Sequence, residues 1–153
     1  MKKFVIDTSY LLRMKKHLNG EIYLPPEVLE EIKSTPAKLK LSSIDYSIKK
    51  PSIQYVKKIK ETSTKLGAIL SKADIAALAL ALELNAVLLT NDFTMQNIAK
   101  FLGIKYTGNK TIKKIIRWVF ICPICGKEYH SPGECERCGV KLERRVSHHK
   151  NQK

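Results

Sequence analysis

The chain has 153 residues and carries 28 Lys and Arg against 14 Asp and Glu, a formal charge of +14. Its 44% hydrophobic content can bury a core, which excludes wholesale disorder, and its longest apolar stretch, Ile75 to Leu82, is too short to span a bilayer. A positive surplus of this size points to a polyanionic partner, nucleic acid ahead of an anionic membrane surface, although a lysine-rich solvated surface gives the same count.

Residues 2–7, KKFVID, are predicted to form a short buried strand whose apolar run stops at Asp7, which argues against a signal peptide. A helix is expected over 8–18, with Thr8 or Ser9 as its N-cap. EIYLP, 21–25, reads as a second strand. PEVLEEIKS, 26–34, reads as a helix with proline in its first turn and acids near its N-terminus. STPAKLKLSS, 34–43, is rich in breakers, and 43–52 reads as an extended surface segment, so no role is assigned to 34–50. An amphipathic, lysine-rich helix over 52–67 stops at Gly67. LSKADIAALALALELN, 70–85, is a helix from N-cap Ser71 to Asn85, apolar on nearly all sides and therefore buried against a sheet. AVLLTND, 86–92, is a buried strand, 93–103 a further helix and IKY, 104–106, a last short strand.

Strands alternating with helices predict an α/β fold with a parallel sheet. Composition shifts after Gly108, and a domain boundary is placed there. Residues 1–108 carry 17 basic and 10 acidic side chains and residues 109–153 carry 11 and 4, so the shorter segment is the more basic. It divides into a basic linker, 109–120, a cysteine-bearing module, 121–145, and a basic tail, 146–153. Lys110, Lys113, Lys114, Arg117, Lys141, Arg144 and Arg145 are candidates for contacts with an RNA backbone. Trp118 or Tyr129 is a candidate for base stacking, with packing against the module as the other role for Trp118.

The cysteines follow the pattern C-x2-C-x9-C-x2-C, at Cys122, Cys125, Cys135 and Cys138. Four thiolates close a tetrahedral zinc shell with no open position, a structural site, and the module is too small to fold without the metal. Two disulfides are the alternative, and they fit poorly with the cytoplasmic location expected of a chain whose cysteines are confined to one module. His130, between the pairs, is expected to be solvated because the shell is already full.

Asp7 ends the first strand, Asp92 follows the strand 86–90, Asp74 lies in the first turn of the buried helix and Glu31 lies in the helix after the second strand. In open α/β sheets ligands bind outside the carboxyl ends of the strands, where these acids can meet. Converging carboxylates repel one another and are tolerated when a hard divalent cation, Mg²⁺ or Mn²⁺, sits among them. Each acid also has an ordinary reading. Asp74 suits a helix dipole, Asp92 an N-cap and Glu31 a solvated helix face, with Glu27 and Glu30 as rivals for the glutamate position. Asp7, interrupting a buried strand end, is hardest to explain that way.

VIDTS, PEVLEEI, LSKADIAALALALEL and LLTNDFTMQNIAKFLGI, taken in order over residues 1–108, resemble the motifs of the PIN domain family. The resemblance implies a flavodoxin-like parallel sheet flanked by helices and metal-dependent endoribonuclease activity. It places the family acids at Asp7, Glu31, Asp74 and Asp92, with Thr8, Ser9, Thr90 and Asn91 as supporting polar positions. Glu31 is preferred to Glu27 and Glu30 because it directly precedes an apolar residue, as in the family motif. A PIN domain with a C-terminal zinc ribbon resembles, more narrowly, the archaeal nucleases that mature the 3′ end of small-subunit ribosomal RNA. That resemblance implies hydrolysis to 5′-phosphate and 3′-hydroxyl products and work on a small-subunit precursor with a KH-domain assembly partner. Asp7, Asp74 and Asp92 would hold one or two Mn²⁺ or Mg²⁺ ions, and Glu31 would add a ligand or position the attacking water. Two other readings stand beside it: a toxin-like PIN ribonuclease acting on mRNA or tRNA, and a non-catalytic RNA-binding assembly factor.

Overall fold

Val5 and Ile6, both buried, bring β1 (Lys3–Ile6) into the middle of a five-stranded sheet, between β2 (Glu21–Leu24) and β4 (Val87–Leu89). The computed structural model describes residues 1–14 and 17–147. With β3 (Ser47–Ile48) and β5 (Tyr106–Thr107) at the edges, every pairing in the sheet is parallel, in the order β3-β2-β1-β4-β5. The helices α1 (Thr8–Arg13), α2 (Pro26–Glu31), α3 (Thr35–Ser42), α4 (Ile53–Leu66), α5 (Lys72–Leu84) and α6 (Phe93–Leu102) connect and flank it. This is the α/β architecture predicted for the first 108 residues. The chain moves outward through β1, β2 and β3 and returns to β4 beside β1. The connections that follow β1 and β4 therefore turn to opposite sides, toward β2 and toward β5, which opens a crevice at the carboxyl ends of these two strands.

α5 is the buried helix the sequence predicts. Seven of its thirteen residues are buried, five of them alanines, and alanine lets a helix approach its neighbours closely. Its start is a full capping box: the Ser71 hydroxyl accepts from the Asp74 N–H at 3.2 Å, and the Asp74 carboxylate accepts from the Ser71 N–H at 3.1 Å. Asn85 ends it in the left-handed region at φ 52°.

Three local expectations are corrected. α1 stops at Arg13 because Met14 turns extended and buries its side chain; Lys15 and Lys16, within the helix expected to Leu18, lie outside the described residues. Its N-cap is Asp7, whose carbonyl accepts from the N–H groups of Tyr10 and Leu11, and neither Thr8 nor Ser9 holds that position. The breaker-rich stretch contains α3: Ser34 accepts from the Ala37 N–H at 3.3 Å and Pro36 sits in the first turn, so its apparent breakers are helix-start residues.

β6 (Trp118–Ile121), β7 (Glu128–Tyr129) and β8 (Glu143–Val146) form a separate antiparallel sheet with its own small core of Phe120, Cys122, Cys135 and Leu142. The last residues counted with the linker, 118–120, belong to β6. Residues 148–153 of the basic tail lie outside the described residues.

The stretch joining the two sheets is strapped down. Gln96 and Asn97 on α6 are fully buried. The Gln96 amide donates to the carbonyls of Thr90 (3.0 Å) and Lys110 (2.9 Å) and accepts from the Ile112 N–H (3.0 Å). Asn97 donates to the Ile116 carbonyl and accepts from the Ile116 N–H, both at 2.6 Å. Gly108 starts the strap where nothing larger fits: a Cβ there would lie 2.2 Å from the Thr90 carbonyl oxygen. Losing a paired buried amide leaves two backbone groups unsatisfied, at about 1–3 kcal/mol each. Asn97→Ala is therefore expected to lower the melting temperature and to open Lys113, Lys114 and Arg117 to trypsin. Unchanged cleavage there in limited proteolysis would show that Asn97 does not hold the strap.

Candidate active site and metal centre

Asp7 sits at the carboxyl end of β1 with 4% of its surface exposed. Its N–H donates to the Leu89 carbonyl at 2.9 Å, which fixes it against β4. Two hydroxyls donate to the same carboxylate oxygen, Oδ2: Ser9 at 2.8 Å and Thr90, itself fully buried, at 2.9 Å. Both hydroxyls also take part in ordering the loop after β4. Ser9 Oγ accepts from the Asn91 N–H at 3.3 Å, and Thr90 Oγ1 accepts from the Asp92 N–H at 3.0 Å. Ser9, Thr90 and the backbone of Asn91 and Asp92 thus form one network with Asp7 across the crevice, while Thr8 bonds Glu31 instead. Asn91 faces the other way, accepting from the Asn109 N–H at 2.8 Å, and so ties the rim to the strap.

Asp92 caps α6, its Oδ1 accepting from the N–H groups of Thr94 (2.8 Å) and Met95 (3.4 Å). Glu31, at the end of α2, accepts from the Thr8 hydroxyl and from the Ser71 hydroxyl, each at 3.4 Å. Those bonds join α2 to α1 and to the start of α5. Glu27 lies one helical turn before Glu31, its Oε2 buried without a hydrogen-bond partner; Glu30 is exposed. Of the three glutamates, Glu31 is the one bonded to the segment that carries Asp74.

The four acids share a rim without forming a tight cluster. Among the described residues only the cysteine sulfurs form a ligand group whose atoms all lie within 4.8 Å of one another. Asp74 and Asp92 each spend an oxygen on a helix N-terminus, and like charges keep carboxylates apart. The electrostatics still register the convergence. Burial pushes the Asp74 carboxyl up from 3.8 to about 6, with the charges of Asp7 and Asp92 adding to the rise and the Ser71 hydrogen bonds opposing it. A carboxyl that holds its proton more tightly when folded costs stability as pH rises from about 4 through 6, since the folded state then binds the extra proton. Discounted for solvent screening, the cost at neutral pH is on the order of 1 kcal/mol. Asp74→Asn keeps an acceptor for the Ser71 N–H and removes the charge. The variant is expected to melt above the wild type at pH 7.5, with a gap that narrows toward pH 4 and closes when millimolar Mn²⁺ is added to the wild type. A pH-independent gap in thermal melts would remove Asp74 from the repelling group.

The four cysteine sulfurs all lie within 4.8 Å of one another as one group, an arrangement that suits a shared ion better than two separate disulfides. Bonds of about 2.3 Å to a tetrahedral zinc require sulfurs roughly 3.8 Å apart, and Cys125 and Cys135 lie 3.7 Å apart. Backbone N–H groups of Ile124 and Cys125 point at Cys122 Sγ (3.4 and 3.5 Å), and that of Cys138 at Cys135 Sγ (3.4 Å). The donor set and its spacing fit zinc, and the module has the fold of a zinc ribbon. Tyr129 has a role its sequence position gives no sign of. Its hydroxyl donates to Cys135 Sγ at 3.4 Å and accepts from the Glu136 N–H at 3.2 Å, and it holds the Cys135 thiol down at about 6. Lys127 lies over its ring at 5.3 Å. His130 is exposed, outside the sulfur group.

Lys110, Lys113, Lys114 and Lys141 are exposed, and Arg117 is half-buried. On β8, Arg144 lies over the Trp118 ring at 4.9 Å, and Arg145 pairs with Glu143 at 2.9 Å. Trp118 therefore lies under a cation of β8, with its backbone against Gly67 at the end of α4. No helix among the described residues is long and apolar enough to cross a membrane.

A family model described as the PIN domain of ribonuclease matches residues 4–84, a span that includes Asp7, Glu31 and Asp74 and ends before Asp92. The chain is 38% identical to Endoribonuclease Nob1 of Pyrococcus abyssi over 152 residues, 92% of each chain. It is 40% identical to Endoribonuclease Nob1 of Methanocaldococcus jannaschii over 95% of this chain and 79% of that one. It is 32% identical to Ribonuclease VapC1 of Thermoplasma acidophilum over 97% of this chain and 80% of that one.

Proposed function

We propose that this chain, which belongs to the PIN-domain family of endoribonucleases, hydrolyses a phosphodiester bond at the 3′ end of precursor small-subunit ribosomal RNA with the help of divalent metal. The observation that carries the reading is Asp7. It is a buried carboxylate at the crevice between β1 and β4, with both hydroxyl donors on one oxygen and no donor among the described residues on the other. A carboxylate held this way is oriented and keeps an oxygen for a ligand. Asp7, Asp74 and Asp92 would hold one or two Mn²⁺ or Mg²⁺ ions, whose chemistry is to neutralise phosphate charge and acidify water. Ser9 and Thr90 fix the Asp7 rotamer, and the capping bonds fix Asp74 and Asp92. Glu31, bonded to Thr8 and Ser71, would add a ligand or orient the attacking water. Attack by water leaves 5′-phosphate and 3′-hydroxyl ends.

The ribbon would hold one zinc and supply RNA contacts from Lys141, Arg144 and Arg145, with Lys110, Lys113, Lys114 and Arg117 on the strap. The assembled small-subunit precursor and a KH-domain assembly partner belong to the same reading, as does a cytoplasmic location. The test is incubation of the full chain with Mn²⁺ and a ribosomal 3′-end precursor transcript, beside a generic mRNA and a tRNA. Cleavage at one site of the precursor is expected. Preferred cleavage of the mRNA or tRNA would favour a toxin-like ribonuclease, and binding without cleavage a non-catalytic assembly factor. A chain lacking 118–153 keeps the strap that satisfies Gln96 and Asn97. It is expected to cut generic RNA while losing preference for the precursor site.

A further inference from the structure

A crevice of about 420 Å³ runs between α4, α5 and the start of α2. Four lysines ring it, Lys50, Lys57, Lys60 and Lys72, all exposed. Ile53, Val56 and Ile75 give it an apolar lining, and Glu27 lines it as well, one carboxylate oxygen buried and the other taking no hydrogen bond from the described residues. The wall is fixed in place. Pro51 is buried, and the Ser52 N–H that starts α4 donates to Glu83 of α5 at 2.7 Å. It adjoins the carboxylate rim along α2, where Glu27 precedes Glu31 by one turn on the same face; Lys72 and Asp74, two residues apart in the first turn of α5, point to different sides of that helix.

Lysines suit phosphates, an apolar floor suits the face of a base, and an unpaired carboxylate oxygen suits an amino, imino or hydroxyl donor on that base or its ribose. Four positive charges around one negative charge favour an anionic occupant over a peptide. We propose that this crevice is a subsite for one unpaired nucleotide of the RNA strand, next to the phosphodiester held at the carboxylate rim. Two lysines clamp the phosphates on either side of it, its base lies against Ile53 and Val56, and Glu27 accepts a hydrogen bond from its polar edge. The position relative to the cut rests on the endoribonuclease reading; the binding site does not.

The test uses the full chain and a fluorescein-labelled single-stranded RNA octamer without added Mg²⁺ or Mn²⁺, so that binding is read apart from cleavage. Lys57→Ala/Lys60→Ala is compared with Lys2→Ala/Lys105→Ala, which removes the same charge at the amino ends of the strands. Each phosphate contact to a single strand adds about 0.7 to the salt slope, so the crevice pair is expected to lower the slope by about 1.4 and weaken binding roughly tenfold near physiological salt. The control pair should do neither. In the wild type, one abasic position along the octamer should weaken binding, and Ile53→Ser, at a residue 75% exposed, should abolish that sensitivity. Glu27→Gln should change which base is preferred at that position. Equal losses in the two lysine pairs, or no position sensitive to base removal, would overturn the subsite. Unchanged binding in all variants would overturn it too and leave the crevice to a protein partner. The expected binding pattern without any cleavage when Mn²⁺ is restored would keep the subsite and overturn the nuclease reading. Normal cleavage with no crevice effect would do the reverse.

Discussion

Asp92→Asn is expected to lower the rate of RNA cleavage by about a hundredfold to a thousandfold or more, the scale of losing one preorganised charge-stabilising group, with RNA binding nearly intact. Asp92 is the better probe of the rim because its structural duty is one that asparagine performs equally well. Its Oδ1 accepts from the N–H groups of Thr94 and Met95, and asparagine is as good an N-cap as aspartate. The substitution therefore removes a charge and leaves α6 started. Asp7→Asn should be as damaging to cleavage, but the Asp7 carboxylate oxygen takes two hydroxyl donors, and an amide reorders that network. Single-turnover cleavage and affinity for the same RNA, measured side by side with equal melting temperatures, separate the two outcomes. Near-normal cleavage by Asp92→Asn would remove this residue from the chemistry.

The second large effect lies in the ribbon. Its core is Phe120 and Leu142 with two of the cysteines themselves, too little to fold thirty residues unaided. A four-thiolate zinc site contributes about 10–16 kcal/mol of apparent binding free energy at neutral pH. Elemental analysis of the purified chain is expected to give about one zinc per chain. Stripping it with a strong chelator should unfold β6, β7 and β8 while the parallel sheet, whose core is a separate cluster, remains. Trp118 is the only tryptophan and sits in β6 under Arg144 and against Gly67 at the end of α4, so its emission reports the ribbon and its seat on the parallel-sheet domain. A red shift on chelation, reversed by zinc, is the expected result. Unshifted emission from zinc-free protein would show that the module folds without metal. Tyr129→Phe should fold with zinc and release it faster, since the hydroxyl that supports Cys135 is gone.

The parallel sheet and the acid rim were legible in the sequence because both depend on local signals. Apolar runs mark β1 and β4, the capping residues mark α5, and the acids fall where strands end. α3 went unread because Ser34 and Pro36 count as breakers by composition and as a helix start by position. The strap went unread for a different reason. Gln96 and Asn97 look like the polar face of an amphipathic helix, yet both are buried and spend their amides on the backbone of 110–116. Recognition of backbone leaves no side-chain pattern in the partner. Tyr129 likewise reads as a surface aromatic, and only the three-dimensional turn brings its hydroxyl to sulfur.

The bond between Thr90 and Asp7 closes a loop of 83 residues. Contacts so far apart in sequence form late, because the chain must give up the freedom of the whole loop before the contact repays it. β2 pairs with β1 within the first twenty-four residues, but the crevice needs β4 to arrive on the other side, and α6 settles only when residues up to 116 reach Gln96 and Asn97. During synthesis the chain thus lacks an assembled rim until nearly all of the parallel-sheet domain has been made. A protein that cuts RNA therefore acquires its cutting edge late in its own synthesis and not with its first strands.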